Sequence, residues 1–416
     1  MQKSLIPLPW NPGTLKFRPK GEIFLVRQKH FTIPAMIGFI TFMNMYPPFA
    51  TDMYLPALPE MGKYFGASEF LVGLTLTIFF LMFAVSMVIF GPLSDKYGRK
   101  PILIFGTGIF TAASIACATA PNIYILLAGR FFEGVGAGAI ITVATAIIKD
   151  SFRGALMSKI LVITQVLMVL GPMAAPLAGG FLLRFTDWHG AFYVLTIIGA
   201  INLALAFLFT ETLPPEKRYK GEVFDSLLLL KQIARQKSFM LPLIMFSLLM
   251  APFMAYLSVS SFVYIENFGL TAQEYSYFFA ANAAASALGP IFYLKLKNLM
   301  SNERLTEFAF LVTIASGLLI IFPGHWSAWA FLFSFLPFTI IETVVRPFSM
   351  EILLNRAKEN VGTASSMLNF VPNLFGSLGM MLGTLPWGDF VTGLGVIILG
   401  AAALSIFMFR FVSDKL

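Results

Sequence analysis

Long apolar stretches constrain this chain more than any other feature. A helix needs about 20 consecutive apolar residues to cross the hydrocarbon core of a bilayer. Twelve such stretches run along the 416 residues: 33–57, 70–92, 101–120, 122–148, 159–183, 189–210, 239–265, 274–295, 304–323, 327–353, 362–385 and 389–411. Charged residues make up only 12% of the chain, half the ~25% of a soluble domain. In lipid a segment must satisfy its own backbone hydrogen bonds, and helices do so. The pattern therefore predicts an all-α membrane protein with twelve transmembrane helices, called spans 1 to 12 below.

The bases give the chain a direction. The net charge of +8 would suit nucleic acid, but the bases do not gather into one patch. They fall in every alternate loop: in the N-terminal arm, after spans 2 and 4, in the central loop, after spans 8 and 10, and at the C-terminus. The opposite loops hold only Lys63 and Arg184. Lys and Arg collect in cytoplasmic loops, so both termini and the central loop are expected in the cytoplasm and no nucleic-acid partner is implied. The N-terminal residues lack the short apolar core and cleavage site of a signal peptide. The resulting division is a basic arm at 1–32, a six-helix half at 33–210, a central loop at 211–238 and a second six-helix half at 239–416. Two similar halves suit a transporter in which one half rocks against the other. Within the central loop, Val223–Ala234 has apolar residues at helical spacing beside Lys231 and Arg235. It reads as an interfacial helix or as a solvated linker.

Charge inside a span is rare and is a functional candidate by default. Span 1 carries Pro47 and Pro48, which remove backbone hydrogen bonds, and then Asp52. Asp52 is either a proton-binding acid in a cavity or a helix-end residue at the interface. Span 4 carries Arg130 and Glu133, three apart on one face, with Gly134 and Gly138 positioned for close helix contact. They form a cavity arginine that tunes a nearby acid, or a static internal pair. Span 5 carries Gly171, Pro172, Ala175, Pro176, Gly179 and Gly180. The small residues at 171, 175 and 179 share a face, which makes a hinge or a seal between the halves, or simple packing. Span 10 carries Glu342 and Arg346 in the favourable i, i+4 order, as cavity lining or as one structural pair. Asn44, Gln165, Asn282 and Asn369 are further cavity candidates, although interhelix hydrogen bonding explains an intramembrane amide equally well. Between spans 2 and 3, Gly91–Pro101 reads as a short charged turn lying in water.

The chemistry of an enzyme is missing from this pattern. There is no phosphate loop, no zinc-ligand spacing and no nucleophile elbow. The single cysteine, Cys117, reads as a small buried apolar residue and excludes an intrachain disulfide. No enzyme activity, metal or organic cofactor is expected. Without a nucleotide site, an ion gradient is the expected energy source.

These residues resemble the major facilitator superfamily. Within it, the chain looks most like the drug/proton antiporters of the bicyclomycin-resistance (Bcr/CflA) group. Gly91–Pro101 is similar to the superfamily's loop between spans 2 and 3. Asp52–Pro59, Arg130–Gly134 and Gly171–Gly180 resemble motifs of spans 1, 4 and 5, with Ala175 where the general pattern has glycine. Trp188–His189, Glu211–Glu216, Phe262–Glu266 and Gly362–Ser366 add to the likeness. The resemblance implies a multi-pass protein of a bacterial inner membrane, monomeric, that exports small amphipathic molecules in exchange for protons by alternating access. It implies that Asp52 carries the proton and senses substrate, with Arg130 coupled to it. It implies that the span-5 motif favours antiport. Gly91, Asp95, Gly98 and Arg99, with Asp150, would latch the inward-closed gate, Asp95 meeting the start of span 11 at Gly362–Thr363. Glu133 and the Glu342–Arg346 pair depart from the family pattern. They leave open a dedicated transporter of one metabolite, such as an amino acid, a sugar or a siderophore-like compound.

Overall fold

The computed structural model describes residues 28–221, 230–356 and 361–412, without the side chains of residues 155, 162, 165, 167–169 and 361–363. Every regular element among them is helical. The basic arm up to Arg27, most of the predicted helix Val223–Ala234 and the side chains of Gln165, Gly362 and Thr363 lie outside the described residues.

All twelve apolar stretches coincide with helical segments. Spans 2 to 12 are Glu69–Tyr97, Arg99–Ala118, Ile123–Ser151, Gly154–Leu182, His189–Leu208, Lys237–Asn267, Ala272–Leu296, Asn302–Ile321, Ala328–Arg356, Val361–Gly383 and Phe390–Phe409. Nine of these, among the described residues, are long and apolar enough to cross a membrane outright. Several helix starts are set by side chains that satisfy the orphan backbone N–H groups of the first turn. Ser68, Asn122, Ser301 and Asp389 accept such bonds, and Thr271 forms a capping box with Glu274.

Span 1 is interrupted where its prolines remove backbone hydrogen bonds. Over 33–57 it is a chain of short pieces, Ile33–Asn44, Tyr46–Asp52 and Leu55–Ala57, and a further short helix, Leu58–Phe65, follows outside the span. Pro47, Pro48, Pro56 and Pro59 each remove a backbone donor, and the helix restarts at Tyr46, Leu55 and Leu58. It ends at Gly66, whose φ of 58° is left-handed.

The predicted turn Gly91–Pro101 is different. Span 2 stays helical through Pro92 and Asp95 to Tyr97, and span 3 begins at Arg99. Only Gly98 turns, with φ of 103°. Across that corner, Arg99 at the start of span 3 pairs with Asp95 in the last turn of span 2. A side chain at 98 would be strained by that φ and would also strike the Glu211 carboxylate.

Packing repeats between the two halves. Span 4 packs on spans 2 and 3, and span 3 on span 6; six positions later, span 10 packs on spans 8 and 9, and span 9 on span 12. The halves meet through two matching seams, span 2 with span 11 and span 5 with span 8. Their closest approaches lie at the base-poor face. Gly73 sits on Thr384, Gly180 on Ala272 and Ser276, and Ser276 Oγ donates to the Pro176 carbonyl at 2.7 Å. Lys63 and Glu266 approach to 3.9 Å across the same face.

Candidate functional site

The break in span 1 places Asp52 at the last residue of a seven-residue helix, just before the non-helical Met53 and Tyr54. Its side chain is buried, with 4% exposure for the residue. It has no cation within ion-pair distance among the described residues. Its hydrogen-bond partner is its neighbour, Thr51 Oγ1, 2.8 Å from Oδ1. The same hydroxyl lies 2.8 Å from the Pro47 carbonyl. A hydroxyl has one hydrogen to donate. When it goes to the Pro47 carbonyl, the contact with Asp52 is satisfied only by a proton on the carboxyl.

Around Asp52 the chain is held on three sides. The ring of Pro48 packs on Gly171, and the Met53 carbonyl lies where a side chain at 179 would begin. The small residues of span 5 therefore let the broken helix approach at backbone distance. The Tyr54 hydroxyl bonds Thr75 Oγ1 at 3.0 Å on span 2. On another side, span 8 packs on the Leu55–Ala57 turn, and its Tyr275 hydroxyl bonds Ser260 Oγ of span 7 at 2.9 Å.

Arg130 and Glu133 form a second, fully buried pair. Arg130 Nη1 donates to Glu133 Oε2 at 2.5 Å, and Ser114 Oγ donates to Glu133 Oε1 at 2.5 Å. Arg130 Nε reaches the Thr75 carbonyl at 3.2 Å. Its guanidinium lies 4.3 Å over Phe79 and 4.8 Å over Tyr54. The pair packs among spans 2, 3 and 4. The structure does not bring Arg130 into contact with Asp52. What links them is Tyr54, two residues beyond Asp52, which touches both Thr75 and the guanidinium.

The Gly98 corner gathers the residues expected there and adds one. Arg99 Nε donates to Asp150 Oδ2 at 2.8 Å and Nη1 to Asp95 Oδ1 at 2.6 Å and to Ser94 Oγ at 2.8 Å. All of these belong to the first half. The expected contact of Asp95 with residues 362–363 lies outside the described side chains. Gly91 has only Thr142 of span 4 near it. The addition is Glu211, whose carboxylate accepts the backbone N–H groups of Arg99 at 3.0 Å and Lys100 at 3.1 Å. It caps span 3 from over a hundred residues away, where the helix dipole favours negative charge. The only sequence signal for it was its place at the head of Glu211–Glu216.

In the second half, Arg346 Nε donates to Glu342 Oε1 at 2.7 Å on span 10. Asn282 Oδ1 accepts from Thr339 Oγ1 at 2.8 Å. Asn44 donates to its own helix at Ile40 and Asn369 to Ser365. Of these, Asn369 is exposed and Asn44 and Asn282 are buried. The named amides thus do not converge on one point.

Comparison with known proteins follows this geometry. Residues 36–383 match the family model of the Major Facilitator Superfamily. The chain is 30% identical over 356 residues to an uncharacterized MFS-type transporter of Bacillus subtilis, covering 84% of this chain and 88% of that one. It is 27% identical over 342 residues to a bicyclomycin resistance protein homolog of Haemophilus influenzae, covering 81% and 85%. Over 168 residues it is 34% identical to a multidrug resistance protein of Klebsiella pneumoniae, covering 40% and 43%. Among solved structures it is similar to a peptide transporter bound to sulfate, with a TM-score of 0.74 at 14% identity, covering 93% of this chain and 96% of that one.

Proposed function

The chain belongs to the major facilitator superfamily, a family of multi-pass membrane transporters, and on that premise we propose that it exports small amphipathic molecules across the bacterial inner membrane in exchange for protons. The names of relatives that confer multidrug or bicyclomycin resistance support the direction and the substrate class. The basic face is the cytoplasmic one. Because the halves touch at the base-poor face, this conformation is closed to the outside, and the opposite state requires the halves to rock.

The observation that carries the reading is Asp52, buried in a broken span, without a cation, beside a hydroxyl that a carboxyl proton satisfies. A carboxylate buried in this way is costly when ionised unless something replaces the lost water. The proton and a substrate group compete for that task. Proton re-entry is favoured by about 2.3 kcal/mol per 100 mV of membrane potential. That sustains a roughly fortyfold substrate gradient per proton, at about 1.4 kcal/mol per factor of ten.

Proteoliposomes with an imposed pH gradient test the proposal. A panel of lipophilic dyes and antibiotics is screened for uphill movement by the native protein, and Asp52→Asn is compared. Native flux that follows the proton gradient and vanishes in Asp52→Asn, with binding retained, is the expected result. Undiminished uphill flux by Asp52→Asn would remove Asp52 from the coupling role.

A further inference from the structure

The Glu342–Arg346 pair is not used by the proton mechanism, and its geometry is incomplete for a structural ion pair. Glu342 is the fifteenth of the 29 residues of span 10, at the helix midpoint. Superfamily-type transporters hold their substrates near that depth. Glu342 is 3% exposed, and its Oε2 is buried without a hydrogen-bond partner. In a closed buried pair both carboxylate oxygens have donors, from a bidentate guanidinium or from a second group, as Ser114 supplies for Glu133. Here the guanidinium gives only Nε to Glu342. Its Nη2 meets the Met250 thioether at 3.1 Å, a weak acceptor. Its Nη1 has no hydrogen bond among the described residues. The guanidinium lies 5.2 Å over Phe253, and the Arg346 side chain is 49% exposed. Glu342 thus holds one edge of the fork, while the other carries no strong acceptor and lies beside an aromatic ring and a thioether.

The neighbouring wall is polar. Gly376 of span 11 packs on Met250 and Met254. Asn369 and Asn373 lie seven and three residues before it, on the same helix face. An amphiphile entering here meets Phe253 and methionines for its apolar body and the free guanidinium edge for its head. Methionine and aromatic side chains tolerate varied shapes.

We propose that the free Nη1–Nη2 edge of Arg346, with the guanidinium held by Glu342, docks an anionic group of the transported amphiphile. The group is a carboxylate, sulfonate or phosphonate, so the substrate range extends to organic anions and zwitterions. This deepens the transport reading and rests on it. Glu342 positions the guanidinium and keeps the site near neutral charge. The anion displaces the Met250 contact and takes two parallel N–H donors.

The test is equilibrium binding to the full-length protein in lipid nanodiscs at pH 7.5, without any gradient. Three radiolabelled probes share one apolar body: 2-naphthylacetate, its methyl ester, and 2-(2-naphthyl)ethylammonium. Empty discs give the lipid background. Arg346→Gln is expected to weaken 2-naphthylacetate by roughly tenfold to a hundredfold, the range for a lost charge-assisted hydrogen-bond pair, and to leave the ester within about twofold. Arg346→Lys, which keeps the charge but not the fork, is expected to recover part of the affinity. It carries the test if Arg346→Gln does not fold. Glu342→Gln, which removes the competing carboxylate, is expected to bind 2-naphthylacetate at least as tightly as the native protein. Equal losses for acid and ester, unchanged acid binding in both Arg346 variants, or native protein that binds the ester and not the acid would each overturn the proposal. The same series on Asp52→Asn separates the two readings. A failed proton coupling leaves the anion selectivity intact, and a failed anion site leaves proton-driven flux of uncharged substrates intact.

Discussion

Removing Glu133 should destabilise this protein far more than removing Glu133 and Arg130 together. In the native chain the two charges neutralise each other at 2.5 Å with no exposed surface on either side chain. Glu133→Leu leaves the Arg130 guanidinium buried. The Thr75 carbonyl at 3.2 Å is then its remaining hydrogen-bond acceptor, and Nη2 is already unpartnered. The faces of Phe79 and Tyr54 were already in place and supply nothing new. Breaking a buried pair in this way costs about 3–5 kcal/mol, a large part of a total stability of about 5–15 kcal/mol. Adding Arg130→Met removes the stranded charge and refills the space beside Phe79, Tyr54 and Phe192 with an apolar chain. Ser114 keeps a partner, since its hydroxyl also lies 2.9 Å from the Phe110 carbonyl. Replacing a whole buried pair is often close to neutral. The double variant should therefore recover most of the loss, with a coupling energy of about 2 kcal/mol or more. Equilibrium denaturation in detergent of the four proteins of the cycle measures this. A single variant within about 1 kcal/mol of native, or a double variant no more stable than the single, would refute the argument that the pair exists to neutralise itself.

Three further outcomes follow from particular contacts. Gly179→Ala should abolish transport while leaving the protein in the membrane, because the new Cβ meets the Met53 carbonyl and forces span 1 away from span 5; Gly38→Ala, whose Cβ meets nothing within 4 Å, is the control, and equal flux in both would count against the seam. Glu211→Ala should cost about 2 kcal/mol by uncapping span 3, read by thermal unfolding, whereas an unchanged unfolding curve would mean that Arg99 and Lys100 find other acceptors. Burial first, and then the neighbouring Asp187, raise the Glu60 carboxyl above its ordinary value, with His189 opposing. The folded state then binds more protons than the unfolded state between the ordinary and raised values, so stability rises as pH falls through that window. Glu60→Gln should erase that rise, and an identical pH profile in the variant would show that Glu60 does not contribute to it.

The sequence exposed whatever depends on residue type and spacing, and hid whatever depends on a partner far along the chain. Spans were legible because apolar length is a one-dimensional property. Asp52, Arg130, Glu133, Glu342 and Arg346 were legible because charge is rare inside a span. The i, i+3 and i, i+4 pairs were legible because helix geometry brings those positions together. The extent of span 2 was not, since Pro92 and the charges of 95–100 look like a loop until Arg99 is seen bridging Asp95 and Asp150. Glu211 was hidden for the same reason: its value lies in two backbone N–H groups that only the folded chain delivers. The separation of Arg130 from Asp52 was equally invisible, because similar depth in a membrane says nothing about which face of a helix a side chain takes.

That separation changes how the proton and the first half can communicate. Direct contact would make Arg130 a counter-ion of Asp52, and protonation would simply strand the arginine. The observed arrangement puts Tyr54 between them, hydrogen-bonded to Thr75 and 4.8 Å under the guanidinium. Residues 53 and 54 are also the non-helical joint between two short helices, so they absorb a backbone change more easily than a regular turn does. On the proposed coupling role, one end of that joint is the acid that would gain or lose a proton. The other is anchored to the rigid packing of spans 2 and 4 through Thr75 and Arg130. Met53, between them, presses its carbonyl on Gly179, and span 5 continues to span 8 through the Pro176 carbonyl and Ser276. On that reading, a change at Asp52 would reach the seam between the halves through the Met53 carbonyl on Gly179 and the Ser276 hydroxyl on the Pro176 carbonyl, with the buried Arg130–Glu133 pair on the other side of the joint. The small residues of span 5 are needed for this arrangement because a side chain at 179 would occupy the place of the Met53 carbonyl.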